Sequence, residues 1–161
     1  PIGEEDNVGT MFEKLSVVGA ELLIETLPRL MKGEITPIPQ DESKASYAPN
    51  ITREQEKIDW RKSGETIYNQ IRGLSPFPVA YTLALGKNLK VWAARKTKDV
   101  HPDKEPGTIY RLDEAGIGVI CGDGKGVLLT EIQPEGKKKM NAQDFLRGAG
   151  SSWSIGMKLG E

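Results

Sequence analysis

Apolar residues recur at helical spacing over residues 10–32, and one face of the predicted helix carries Met11, Leu15, Val18, Leu22 and Leu30. Thr10 is placed to cap this helix, with Glu13 three residues on completing a capping box. Gly33 is placed to end the helix in a left-handed conformation. Pro28 lies inside the pattern, so we expect a kink or an early break just before it. The pattern predicts a long amphipathic helix.

The stretch over residues 33–58 has no sustained period, is largely polar and contains three prolines. Because proline holds the chain extended and lacks a backbone N–H, we expect a semi-rigid strap that runs over a surface. Residues 36–58 are therefore predicted to be a linker that joins two bodies.

A second helix is predicted from Ser63, which is placed to cap it, to Gly73, which is placed to end it. Ile67 and Ile71 share one face of this helix. The sequence SPFP follows at residues 75–78, where two prolines prevent the helix from continuing and favour an extended backbone. We expect this corner to fix the angle between the helix and the next strand.

From residue 79 onward the hydrophobic period changes to two. Segments 79–85 and 89–97 are predicted to be two strands separated by a three-residue turn at 86–88. Residues 106–134 continue with short β-branched runs between glycine-containing turns. Five short strands at this spacing predict a small antiparallel barrel or an open sandwich.

A short helix over residues 141–148, capped by Asn141 with Asp144 at the third position, closes the pattern. The predicted fold class is therefore mainly β with α elements. A long helix and an extended linker precede the small open antiparallel barrel.

Composition limits the function only weakly. The chain has 161 residues, of which 28% are charged and 37% are hydrophobic, so it suits one domain or a smaller domain with an appendage. Its formal net charge is −1, so any nucleic-acid role must depend on local basic patches. No apolar run approaches the roughly 18 residues of a membrane span. The chain begins without methionine, so we expect processing or a piece of a longer protein.

Few residues offer catalytic or metal chemistry. Cys121 is the only cysteine, which excludes an internal disulfide and a multi-cysteine metal site and suits a reducing cytosol. We therefore expect a soluble, cytoplasmic protein. Cys121 ends a strand-like run and is predicted to be a small core residue. His101, the only histidine, lies in a polar loop and is predicted to be solvated. The glycine-rich segment at 122–126 lacks the Walker spacing and is predicted to be a hairpin turn.

Two segments are basic. Residues 87–104 carry a net charge of +4, and residues 135–147 carry +2. From the charges alone, a solvated face is the default interpretation of both.

Three tryptophans raise the question of base stacking. Trp60 precedes the second helix and Trp92 alternates within a predicted strand, so both are predicted to be core residues. Trp153 lies in a tail rich in serine and glycine, and the pattern offers no account of it.

Four ordered segments carry a family resemblance: EKIDWRKSGETIYNQIRGLSPFPVAYT, then LKVWAA, PGTI and IQPEGKKKMNAQDFLRG. In order and spacing they resemble the C-terminal half of the bacterial methionyl-tRNA formyltransferases, and residues 1–35 look like the end of that family's catalytic domain. The chain departs from the family at Phe77, where the family usually has tryptophan, and at SSWSIG, which has no counterpart. We expect the Phe77 ring to keep the aromatic plug without the indole N–H.

The resemblance implies an enzyme that transfers a formyl group from 10-formyltetrahydrofolate to the amino group of initiator methionyl-tRNA. It implies three parts: the end of a Rossmann-like domain at 1–35, the linker at 36–58, and a barrel similar to an OB fold at 59–161. The family's catalytic Asn, His and Asp and its folate loop lie upstream of the matched segments. We therefore expect no catalytic, cofactor or metal residue in this chain, and no formyl transfer by this chain alone.

Under this resemblance the basic segments become candidates for contacts with tRNA phosphates. The predicted RNA-binding residues are Lys137, Lys138, Lys139, Arg147, Arg95, Lys96, Lys87, Lys90, Arg53 and Lys57. Two alternatives remain open: the equivalent barrel of a sugar-nucleotide formyltransferase or formyltetrahydrofolate hydrolase, and a protein-interaction barrel without RNA binding. The first helix, deprived of its partner domain, is also expected to pack on a second copy of the chain or to fray.

Overall fold

The computed structural model describes residues 1–161 and is built on one six-stranded antiparallel sheet. The strands are β1 (Ala80–Ala84), β2 (Lys87–Val100), β3 (Ile109–Asp113), β4 (Gly116–Ile120), β5 (Lys125–Pro134) and β6 (Met140–Asn141). The order across the sheet is β1-β2-β5-β4-β3, and β6 pairs with β5. The predicted mainly β fold is confirmed, as an open sheet consistent with an open barrel. The likeness to an OB fold stays a prediction.

Four α-helices accompany the sheet: α1 (Val8–Met31), α2 (Arg53–Glu56), α3 (Gly64–Gly73) and α4 (Ala142–Arg147). None of them is both long and apolar enough to cross a membrane. A 3-10 turn (Glu42–Lys44) interrupts the exposed stretch between α1 and α2. Residues of that stretch lie mainly at the surface, which fits the predicted strap, while the division of the chain into domains stays a prediction.

The core lies between the inner face of the sheet, α3 and α4. Period-two alternation places Leu89 and Val91 of β2 and Ile132 of β5 inside, while Ile67 and Ile71 of α3 cover them. Each of these side chains is almost completely buried, which is worth about 1.5 to 3 kcal/mol per side chain. The predicted face of the second helix is therefore confirmed.

Helix α1 differs from the prediction at its start and in its last turn. Asn7, not Thr10, is the N-cap: its side chain accepts the Thr10 N–H at 2.9 Å, while the Thr10 hydroxyl accepts the Asn7 N–H at 3.0 Å. The capping box exists, but it lies three residues earlier than the sequence suggested. The helix continues through Pro28 without a break, and Gly33 follows it at φ +71°, as expected.

The segment before α1 docks on α3. The Tyr68 hydroxyl donates to the Glu4 carbonyl at 2.9 Å. The Arg72 guanidinium donates to the carbonyls of Gly3 and Asp6, both at 2.9 Å. These bonds connect the first residues of the chain to the sheet domain, although no residue of α1 itself is buried.

The corner after α3 contains two cis peptide bonds, Ser75–Pro76 and Phe77–Pro78. It also contacts the first turn of α1, because the Gly9 N–H donates to the Ser75 carbonyl at 3.3 Å. The expectation that the Phe77 ring plugs the corner is wrong. Phe77 is 82% exposed, because the corner turns its side chain away from the core.

The β1–β2 turn is tighter than predicted. Ala84 pairs with Lys87, so the turn contains only Leu85 and Gly86, at φ +52° and +73°. Both positive φ values are typical of the type I′ hairpin turn, whose twist matches that of the flanking strands. Lys87 and Asn88, predicted as turn residues, belong to β2.

The C-terminal segment at 156–160 connects the two edges of the sheet. The Gly160 N–H donates to the Leu83 carbonyl of β1 at 2.8 Å, and the Ile109 N–H of β3 donates to the Met157 carbonyl at 2.8 Å. Leu159 is 4% exposed and belongs to the core. The segment thus occupies the gap that the unpaired edges β1 and β3 leave open.

Candidate nucleic-acid interface

The first predicted basic cluster is divided in the structure by the length of β2. This strand has 14 residues, so Lys87 and Lys98 lie about 36 Å apart at the usual rise per residue. Residues 87–104 therefore do not form a single basic patch.

The lysines at the start of β2 lie beside those that follow β5, at one end of the sheet. Antiparallel pairing of β2 and β5 places Leu89 opposite Pro134, so the turn after β5 lies beside the start of β2. Two bonds fix this arrangement: the Asn88 N–H donates to the Glu135 carboxylate at 3.1 Å, and the Glu135 N–H donates to the Asn88 carbonyl at 3.0 Å. We call the residues gathered here the basic end: Lys87, Lys90, Lys137, Lys138 and Lys139.

The basic end is largely free of internal charge pairing. Its five lysines face only two nearby acids, Glu131 and Glu135, which leaves a net charge of +3. Of the lysines, only Lys139 forms an ion pair, with Glu131 at 2.6 Å. Free lysine ammonium groups on one rim are suited to phosphate oxygens, because each such ion pair releases counterions from a nucleic acid.

Two cations lie over aromatic rings on the outer face of the sheet. The Arg53 guanidinium lies 3.8 Å from the centroid of Tyr81 and is paired with the Glu56 carboxylate. The Lys139 ammonium lies 5.3 Å from the centroid of Trp92. Tyr81 pairs with Lys90 across β1 and β2, so Lys90 shares the face that carries the Tyr81 ring.

The prediction that Trp92 is a core residue is wrong. Leu89 and Val91 point inward, and alternation turns Trp92 outward, where it is half-buried and its indole N–H donates to the Gln133 side chain at 3.1 Å. Trp60 is a core residue as predicted, and its indole N–H donates to Thr82 at 3.0 Å.

Of the remaining predicted RNA-binding residues, Lys96, Arg95 and Arg147 lie apart from the basic end, whereas Lys57 neighbours Tyr81, the cross-strand partner of Lys90. Lys96 is held between Glu4 and Glu65, at 2.8 and 2.9 Å, and its hydrogen bond to Glu4 is the main reason why its pKa is raised. Arg147 pairs with Glu114 at 3.6 Å. Arg95 lies exposed on the distant half of β2, and Lys57 lies exposed beside Tyr81. Lys96 in particular has carboxylate partners that a phosphate would have to displace.

The other residues considered for catalysis or metal binding lie in the core, in a turn or against an aromatic ring. Cys121 is 1% exposed, and burial raises the pKa of its thiol to about 12, so it is a core residue as predicted. The segment at 122–126 contains the turn between β4 and β5, as predicted, although Lys125 and Gly126 already belong to β5. His101 is not fully solvated: it is half-buried, and its ring centroid lies 4.5 Å from that of Tyr110. No group of three His, Cys, Asp or Glu residues is placed to hold a metal ion.

Sequence reasoning missed the two residues that arrange the outer face. Tyr81 and Gln133 lie opposite Lys90 on either side of β2. The Gln133 side chain accepts the Trp92 indole N–H and donates to the Lys137 carbonyl at 2.9 Å. The only signal in the sequence was that both occupy polar positions of alternating strands.

Comparison with known proteins agrees with this architecture. Residues 50–150 match the family model of the formyl transferase C-terminal domain. The methionyl-tRNA formyltransferase of Halalkalibacterium halodurans is 56% identical over 161 residues, which cover 99% of this chain and 50% of that protein. That of Bacillus licheniformis is 57% identical over 159 residues, covering 99% and 49%. The chain thus spans about half the length of the curated relatives it matches.

Solved structures show the same fold in a more distant protein. Two variants of HypX from Aquifex aeolicus superpose with TM-scores of 0.67 and 0.64, each at 20% identity. The matches cover 89% and 84% of this chain and 27% and 24% of those chains. At this identity the likeness concerns the fold alone. Because the family model matches more than half of its residues, this chain belongs to the formyl transferase C-terminal domain family.

Proposed function

We propose that this chain is the tRNA-holding half of a methionyl-tRNA formyltransferase. The observation that carries the proposal is the identity of 56 to 57% with proteins of that name over 99% of the chain. The basic end supplies a physical reason, since five lysines at one end of a rigid sheet suit the backbone of a structured RNA, which is recognised mainly by shape and phosphates.

In this proposal the chain assists chemistry carried out by another part of the enzyme. The formyl donor is 10-formyltetrahydrofolate and the acceptor is the amino group of initiator methionyl-tRNA. We assign no catalytic, folate-binding or metal-binding residue to this chain. The division into 1–35, 36–58 and 59–161 and a cytoplasmic location belong to the same proposal.

The alternative of a sugar-nucleotide formyltransferase or a folate hydrolase is not favoured. The two relatives described above, which share more than half of their matched residues with this chain, are named for methionyl-tRNA. The basic end also has no evident use in an enzyme whose substrates are small. A protein-interaction sheet without RNA binding is separated from our proposal by the salt dependence described next.

The test is a salt titration of tRNA binding by the intact chain and by the variant K137A/K138A/K139A. We expect the wild type to bind initiator tRNA with an affinity that falls steeply with salt. Removal of each lysine that meets a phosphate should make the slope of log affinity against log salt shallower by about 0.7 to 0.9. The fold should be retained, because exposed substitutions usually change stability by within about 0.5 kcal/mol.

The matched control is K32A/K44A/K62A, which removes the same charge from exposed lysines outside the basic end. This variant should keep the wild-type slope. An equal change of slope in both triple variants would show that only the net charge of the chain matters. An unchanged slope in K137A/K138A/K139A would show that tRNA binds to another face. No binding of tRNA by the wild type would refute the proposed function.

A further inference from the structure

A cavity of about 290 Å³ opens at the basic end. Three segments line it: the β1–β2 turn with the start of β2, the turn after β5, and α4 with the chain that follows it. The residues that give it its character are Leu85, Lys87, Glu135, Lys137, Phe145 and Trp153. Neither the family match nor the basic end accounts for a cavity at this position.

The inner lining is apolar and aromatic. Trp153 is half-buried and meets Phe145 edge to face, with ring centroids 4.9 Å apart. Leu85 stands at the tip of the β1–β2 turn and is 69% exposed, an unusual position for leucine in a two-residue turn. Together they present an apolar surface of the kind on which a flat ring packs.

The outer lining is cationic. Lys87 and Lys137 are exposed, lie on the neighbouring start of β2 and turn after β5, and form no ion pair. The lining contains one acid, Glu135, whose carboxylate accepts the Asn88 N–H at 3.1 Å, so the charged side chains of the lining sum to +1. An apolar interior with two free ammonium groups at its edge is complementary to a group that is flat and apolar on one side and anionic on the other.

We propose that this cavity binds one unstacked nucleotide of an RNA strand. The base packs against Trp153 and Leu85, and the adjoining phosphate contacts Lys87 and Lys137. A base within a duplex is excluded, because its faces are covered by its neighbours. The inference rests on the proposed function and deepens it. In addition to lysines that contact only the RNA backbone, the basic end would contain a site for one nucleotide of a single-stranded segment.

The experiment uses the intact chain and two RNA probes of equal length, a single-stranded hexamer and a blunt hexamer duplex, with tryptophan fluorescence as the signal. We expect the single strand to quench the fluorescence and the duplex to leave it nearly unchanged. The variant W153F should remove most of the quenching, because Trp60 is buried and Trp92, which lies under Lys139, is outside the cavity. Phenylalanine keeps an aromatic surface, so W153F should still bind the single strand in a filter assay.

The variant K87A/K137A should bind the single strand at least tenfold more weakly, with a salt slope shallower by about 0.7 for each lysine that meets a phosphate. The matched control K32A/K62A should bind like the wild type. Equal quenching by duplex and single strand, undiminished quenching in W153F, or unchanged binding by K87A/K137A would overturn the inference. If the chain binds tRNA but the hexamer does not quench Trp153, only this inference fails. If tRNA itself does not bind, the proposed function fails.

Discussion

Asp6 organises the start of α1 by binding several groups at once. Its carboxylate accepts the Gly3 N–H at 2.7 Å, the Thr10 hydroxyl at 3.0 Å and the Lys14 ammonium at 2.7 Å. The hydrogen bond from Lys14 is the main reason why the pKa of Asp6 falls from 3.8 to about 2. Because the folded pKa is lower than the unfolded one, the stabilisation by Asp6 is complete above about pH 4 and disappears as the pH falls through about 2.

This predicts the pH dependence of hydrogen exchange at the amides of residues 7–11. Above pH 4, D6N should exchange faster than the wild type, since this variant cannot form the ion pair with Lys14. The difference should shrink between pH 3.8 and about 2. E21Q, which removes an exposed carboxylate of α1 outside any ion pair, should follow the wild type throughout. A difference between D6N and the wild type that persists undiminished at pH 2 would contradict this account.

Single residues were predictable where local chemistry decides their role. Ser63 caps α3 as expected, because its hydroxyl accepts the Thr66 N–H, which lies only three residues later in the sequence. Thr10 was misassigned because Asn7 offers the same chemistry one turn earlier, and the pattern does not rank the two. Trp92 was misassigned because alternation places it on one of two faces without saying which face is the core.

At the scale of elements, the C-terminal segment decides how the sheet ends. Its backbone bonds join β1 and β3, and Leu159 enters the core between them. No hydrophobic period marks residues 151–161, and the partners of the segment lie about 50 to 75 residues earlier in the chain. Its position depends on two sheet edges that exist only after folding, so the sequence alone did not predict it.

We expect L159A to lower the free energy of unfolding by about 2 to 5 kcal/mol, the usual cost of removing a buried leucine side chain. I155A, a truncation of an exposed side chain four residues earlier, should change it by within about 0.5 kcal/mol. Urea unfolding of the two variants and the wild type measures both. If both variants changed the free energy of unfolding equally little, the C-terminal segment would lie on the sheet without stabilising it.

At the scale of the whole molecule, the candidate site depends both on local sequence, which supplies its lysines, and on long-range strand pairing, which brings them together. The charge counts located both basic segments in the sequence, but not their arrangement. Eleven positions along β2 separate Lys98 from Lys87, while the pairing of β2 with β5 brings Lys137 to Lys87 from about 50 residues away. The residue types of the site were therefore predictable, and its shape depended on strand length and register.

Helix α1 leaves the molecule with a large apolar surface. Its exposed side chains include Phe12, Leu15, Val18, Leu22, Leu23 and Ile24, each more than half exposed. Exposed apolar patches of this extent are rare in monomeric proteins, and burying such side chains is worth about 1.5 to 3 kcal/mol each. The docked residues before α1 hold its first turn against α3 and the proline corner, so fraying is not expected to remove this surface from solution.

We therefore predict that the isolated chain self-associates through α1. Sedimentation should show a monomer in V18E/L22E and a concentration-dependent dimer in the wild type, because two charges on the apolar face oppose burial. The urea midpoint of the sheet should be the same in V18E/L22E and in the wild type at dilution, since no residue of α1 is buried. E13Q/E21Q, a pair of substitutions at exposed polar positions of the same helix, is the control and should still associate. If V18E/L22E remained a dimer, the dimer interface would lie elsewhere on the molecule; if it unfolded the sheet, α1 would have to pack on its own chain in solution.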